Sequence, residues 1–131
     1  MIVWLGALPI AGDSEFKSMR VVIRALKDGK AVVIFPEGTR GAGSEFLEPQ
    51  PGVVFLAHAA GVPIVPCYIE GTAGAWPRGQ KSFRPVKIRV FVGEPIPVAS
   101  GVVADKLRYY EATAERVMDR IRDLRTQSQR Q

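Results

Sequence analysis

Glu37, Gly38, Thr39 and Arg40 follow directly on the apolar run Ala31-Val32-Val33-Ile34-Phe35 and Pro36. A carboxylate, a glycine, a hydroxyl and a guanidinium therefore arrive together where one apolar segment ends. The chemistry open to such a set is anion binding. Arg40 offers a planar fork of donors that can pair two phosphate oxygens, and Gly38 and Gly41 let the backbone approach a ligand or take positive φ. Glu37 would repel a dianion, so its expected task is to hold Arg40 or the loop. The ordinary alternative is a strand-end turn with a surface ion pair.

Other reactive chemistry is sparse. One histidine and one cysteine in 131 residues exclude an internal disulfide and cannot build a zinc site of the usual four-ligand kind. His58 lies in an apolar helix candidate, where a packed or rim imidazole is expected rather than a catalytic one. Cys67 sits in the apolar run Ile64–Ile69 and reads as a buried, inert thiol. Gly-x4-Gly-Lys-Ser/Thr does not occur, which removes a nucleotide-binding P-loop. The net charge of +5 favours phosphorylated metabolites, anionic lipid surfaces or nucleic acid as partners. Scattered cations and the lack of an aromatic stacking platform argue against nucleic acid.

The elements that must carry the Glu37–Arg40 loop can be read from periodicity and turn residues. Ala31–Phe35 is short and β-branched, as expected of a strand covered on both faces, and Pro36 ends it. A further apolar strand is expected over Ile2–Ile10. A helix capped by Asp13 or Ser14 should run to about Lys27, with Phe16, Met19, Ile23 and Leu26 on its apolar stripe and Gly29 as its stop. Together these make a βαβ unit. The loop from Gly41 to Pro51 has no regular pattern. Gly52–Ala60 is an apolar helix candidate ended by Gly61, and Val62–Ile69 is a second buried strand, again ending in small polar residues, Glu70-Gly71-Thr72.

The segment from Ala73 to Pro85 contains Trp76, Arg78, Lys81 and Arg84, which suits either a solvated loop or a contact with lipid headgroups. Val86–Val92 alternates at period two and should be a strand with one wet face. A final helix from about Val103 to Leu124 has the stripe Val103, Leu107, Tyr110, Ala114, Val117, Ile121 and Leu124, fit for core packing or for membrane contact. The polar tail 125–131 is expected to fray. The fold class is α/β, a mostly parallel or mixed sheet flanked by helices in one domain.

No stretch reads as a membrane span. Met1–Ala11 is too short, Gly52–Ile69 is punctuated by His58, Gly61, Pro63 and Pro66, and the opening lacks the basic leading segment of a signal peptide. A cytoplasmic setting is expected.

Phe35-Pro36-Glu37-Gly38-Thr39-Arg40 resembles the substrate-binding motif of the glycerolipid acyltransferases, whose best-known members acylate 1-acylglycerol 3-phosphate. Gly6-Ala7-Leu8-Pro9-Ile10 resembles the family's second motif. Gly61-Val62-Pro63-Ile64-Val65-Pro66 resembles its later apolar motif, and Gly93-Glu94-Pro95-Ile96 its exit from the last strand. The four stretches stand in the family's order.

The resemblance implies an incomplete glycerolipid acyltransferase-like domain over residues 1–124. Glu37, Gly38, Thr39 and Arg40 would bind the acceptor phosphate. Acyl-CoA or acyl carrier protein would be the donor and a lysophospholipid the acceptor, at the inner face of a membrane, with no cofactor or metal.

The family's first motif, a histidine followed at the fifth position by an aspartate, does not occur. Counting from His58, the fifth position is Pro63. An amino-terminal truncation, an inactive chain and uncovered apolar surface are therefore expected. Two further departures bear on the acceptor site. Ile10 leads into Ala11-Gly12-Asp13 where the family usually has an arginine, and Glu48-Pro49-Gln50-Pro51 replaces a loop that often carries lysine. The alternative from another class is a non-catalytic phosphate- or lipid-binding module.

Overall fold

The computed structural model describes residues 15–38, 46–75 and 85–130, with only the backbone of residues 15–17, 73 and 75. Helix α1 spans Glu15–Lys27 and stops at the expected glycine. The Gly29 N–H bonds to the Leu26 carbonyl at 3.1 Å and the Lys30 N–H to the Ala25 carbonyl at 3.0 Å, the paired bonds of a Schellman stop. Helix α2, Gly52–Ala60, ends in the same way, with Gly61 bonded to His58 at 3.2 Å and Val62 to Ala57 at 3.1 Å. The α1 stripe is centred on Val22, which is fully buried, while Met19, Ile23 and Leu26 flank it half-buried.

Strand β1 is Cys67–Glu70, followed by the single turn of α3, Thr72–Ala75; strand β2 is Arg89–Val92. The two strands pair antiparallel, Cys67 opposite Val92 and Glu70 opposite Arg89. Beyond them Ile64 and Ile96 exchange bonds of 3.0 and 2.7 Å, and the Gly93 N–H bonds to the Pro66 carbonyl at 2.9 Å. The expected strands Val62–Ile69 and Val86–Val92 thus pair with each other but are shorter than expected. In the stretches flanking the bridge, Pro63, Pro66, Pro95 and Pro97 have no ladder N–H to give.

The sheet expected at Ala31–Phe35 differs more. These residues form no ladder with any described residue. Their burial nonetheless alternates: Val32 and Ile34 are half-buried, while Val33 and Phe35 are 82% and 67% exposed. One side is covered, not both. The expected partner Ile2–Ile10 lies outside the described residues, so among these the sheet is the antiparallel pair alone.

Helix α4, Lys106–Ser128, begins at Asp105, whose carboxylate caps it by accepting from the Arg108 N–H at 3.1 Å. It lies against both strands and against α2, which in turn packs on α1. Met118 is fully buried and clusters with Ile96, Val117 and Ile121. The expected stripe holds from Ala114 to Leu124. It fails at its start, where Val103 precedes the helix and Leu107 is 63% exposed.

The carboxyl end also departs from expectation. The helix continues through Ser128, which is buried with its hydroxyl donating to the Arg125 carbonyl at 2.8 Å. Residues 125–128 continue the helix rather than fray, with Arg125 half-buried and Ser128 buried on its covered side.

Register decides which sheet face is used. Tyr68 lies opposite Phe91, and α4 covers that aromatic face. The opposite face presents Ile88, Val90 and Val92, which are 47%, 58% and 65% exposed. Cys67 pairs with Val92 on this open face and is exposed, which corrects the expectation of a buried thiol.

Candidate acceptor-binding site

The segment that brings Glu37 into place is a tight turn. The Gly38 N–H bonds to the Phe35 carbonyl at 3.1 Å, spanning Pro36 and Glu37. Gly38 leaves the turn at φ 68°. Among the described residues, a Cβ there would meet only the Gln50 side chain at 3.5 Å, an ordinary contact. Backbone conformation rather than space therefore calls for glycine.

The chain returns beside this turn. The Gln50 N–H donates to the Pro36 carbonyl at 2.7 Å, and the Leu47 N–H donates to Glu37 Oε2 at 2.7 Å. Outgoing and returning limbs are thus joined at a neck by one main-chain bond and one carboxylate bond. Glu37 holds the loop, one of the two tasks expected of it. Thr39 and Arg40 lie outside the described residues, as do Gly6–Ile10 and the cationic residues Arg78, Lys81 and Arg84.

Helix α2 starts where the returning limb ends. Pro51 occupies its cap position without a side-chain bond, and its first turn contains no acidic residue. The Val54 and Phe55 N–H groups bond to the Pro51 carbonyl, each at 3.1 Å. The partial positive charge of this helix end is therefore not offset by a local carboxylate in that turn, a setting favourable to anions near the neck.

The other sequence motifs have structural places. Gly61–Pro66 and Gly93–Ile96 come together through the Ile64–Ile96 bridge and the Gly93–Pro66 bond. Gly93 is tightly placed, since a Cβ there would sit 3.1 Å from Pro66 Cγ. At the second strand end, Gly71 has φ 92°, and a Cβ would collide with the Lys87 carbonyl.

His58 is committed to packing. Its Nε2 lies 2.8 Å from the Gly101 carbonyl, which can only accept, so Nε2 carries the proton. Nδ1 then accepts from the Tyr110 hydroxyl at 2.8 Å. Both nitrogens are used in tying α2 to α4 and to the segment before it. The neighbouring Tyr109 hydroxyl accepts from the Ala99 N–H at 2.7 Å. This is the packed imidazole expected from the sequence.

Sequence reasoning did not single out Phe46. Its ring meets Tyr68 edge to face, with centroids 6.3 Å apart, and lies under the Arg125 guanidinium at 5.4 Å. The available signal was an aromatic residue, followed by Leu47, inside a loop of mostly glycine, proline and polar residues. A cleft of about 700 Å³ between Gly93–Pro97 and α4, bordered by Arg116 and Arg120, shares no residue with the neck.

A family model described as Acyltransferase matches residues 6–70, a span that includes the Glu37–Arg40 loop. A crystal structure of the 1-acyl-sn-glycerophosphate acyltransferase PlsC from Thermotoga maritima superposes with a TM-score of 0.59 at 30% identity, over 79% of this chain and 44% of that one. The chain belongs to the glycerolipid acyltransferase family. Its relatives include the 1-acyl-sn-glycerol-3-phosphate acyltransferase of Bacillus subtilis, 31% identical over 82% of this chain and 51% of that protein. The enzyme of the same name from Limnanthes alba is 36% identical over 74% of this chain and 34% of its own length. The chain therefore spans between about a quarter and a half of the length of the curated relatives it matches. The α/β fold with its small antiparallel sheet agrees with an incomplete domain of that family. No helix among the described residues is long and apolar enough to cross a membrane.

Proposed function

We propose that this chain is the acceptor-binding part of a 1-acylglycerol-3-phosphate acyltransferase of phospholipid synthesis. The complete reaction would move a fatty acyl group from acyl-CoA or acyl carrier protein to the free hydroxyl of a lysophospholipid. The observation that carries this reading is the family match across residues 6–70 enclosing a loop whose neck is closed by Glu37. Glu37 and Gly38 shape that neck, and Thr39 and Arg40 supply the hydroxyl and guanidinium for the acceptor phosphate.

Attack on the thioester carbonyl needs a base on the acceptor hydroxyl. The single histidine of this chain cannot serve, because both its nitrogens are occupied at 2.8 Å. The chain by itself therefore binds acceptor without turning it over. A lysophospholipid resides in a bilayer, so binding takes place at a membrane surface, on the inner face where acyl-CoA and acyl carrier protein are found. The net charge of +5 supports an anionic surface.

The test titrates lysophosphatidate into the chain and assays acyl transfer from acyl-CoA in parallel. Binding that Arg40→Ala abolishes, without turnover, is expected. Absence of binding, or turnover by the chain alone, would overturn the reading.

A further inference from the structure

We propose that Phe46 is a positioning residue that fastens the acceptor loop to helix α4, so that the last helix contributes to acceptor binding without touching the acceptor. The inference rests on the phosphate-binding reading of Glu37–Arg40. Phe46 is half-buried against the cluster Ile96, Val117, Met118 and Ile121. Its ring is held edge to face on Tyr68 at an interplanar angle of 77° and lies under the Arg125 guanidinium at 5.4 Å. The next residue, Leu47, gives its N–H to Glu37 at 2.7 Å.

The returning limb is thus tied twice at adjacent residues, once to the outgoing limb and once to α4. The Glu37–Leu47 and Pro36–Gln50 bonds join the two limbs of the neck to each other, whereas the Phe46 ring joins the neck to the core beneath α4. A guanidinium fork reads phosphate through paired, directional bonds, so a pivoting neck spreads its orientations and weakens binding. α4 reaches far enough to provide this anchor because it continues through Ser128.

The experiment measures inorganic phosphate binding by calorimetry on the full chain, well below each variant's unfolding midpoint. Phe46→Ala is expected to weaken binding about tenfold, while Phe46→Tyr, which keeps the ring, stays within about twofold. Val22→Ala, a core change in α1, lowers the unfolding midpoint and leaves affinity unchanged. If Phe46→Ala does not fold, Phe46→Leu is read instead; it keeps apolar volume, loses both ring contacts and should weaken binding about threefold. Wild-type affinity in whichever of these is read, with Arg40→Ala still abolishing binding, would overturn the role of Phe46 alone. No phosphate binding by the wild-type chain would overturn the underlying loop reading and this inference with it.

Discussion

Replacing Glu37 by alanine separates a loop-holding carboxylate from a ligand-binding one. The carboxylate accepts from the Leu47 N–H at 2.7 Å, a charge-assisted bond of a type worth about 1.5–3 kcal/mol when its partners are shielded. Here Leu47 is 38% exposed and Glu37 half-buried, so water can take over both groups once the bond is gone. The net loss should fall to about 1 kcal/mol, roughly a fivefold change in a local opening equilibrium. Global stability, typically about 0.05–0.15 kcal/mol per residue, would change only modestly.

The sensitive readout is therefore local. Hydrogen exchange at the Leu47 amide should speed up about fivefold in Glu37→Ala, while amides of the buried α4 face, such as Met118, respond only through the global change. Glu37→Gln keeps a neutral acceptor and should show about half the effect in free energy. Unchanged exchange at Leu47, together with complete loss of phosphate binding and no loss of stability, would refute the loop-holding role and place the carboxylate on the ligand.

Tyr110→Phe removes the hydroxyl that satisfies His58 Nδ1 but keeps the ring beside Phe55. Urea unfolding should show a loss of about 1 kcal/mol, with phosphate affinity unchanged because this histidine has a structural task. The open sheet face should drive self-association, seen as a mass that rises with concentration in light scattering. Val90→Lys with Val92→Lys, at positions 58% and 65% exposed, should suppress it. A wild-type chain that stays monomeric at high concentration would contradict this expectation.

The stops of α1 and α2 were readable because their cause is local: Gly29 and Gly61 end them with bonds made within one turn. The Asp105 cap of α4 is equally local, but the apolar stripe placed the start too early, at Val103, and the end too early, at Leu124. The family was readable for a similar reason, since the motif that suggested it is contiguous and lies within the matched span 6–70. The assignment of His58 to packing also held, given a lone imidazole on an apolar segment.

What the sequence could not decide depends on partners distant along the chain. Period two showed that Val90 and Val92 share a face, but only the pairing of Tyr68 with Phe91 and the arrival of α4 settled that the aromatic face would be covered. That same register leaves Cys67 exposed. Nor could composition show that the turns after Leu124 would remain packed, since their burial comes from surfaces made by other elements. The neck belongs to the same class. Glu37, Leu47, Phe46, Tyr68 and Arg125 meet only because the loop folds back and the last helix crosses the sheet. The sequence by itself determined the family and the glycine stops of α1 and α2, and it offered Glu37–Arg40 as the candidates for holding a phosphate. The tertiary structure decided which sheet face is buried and what steadies the loop, because both depend on contacts that no local pattern encodes.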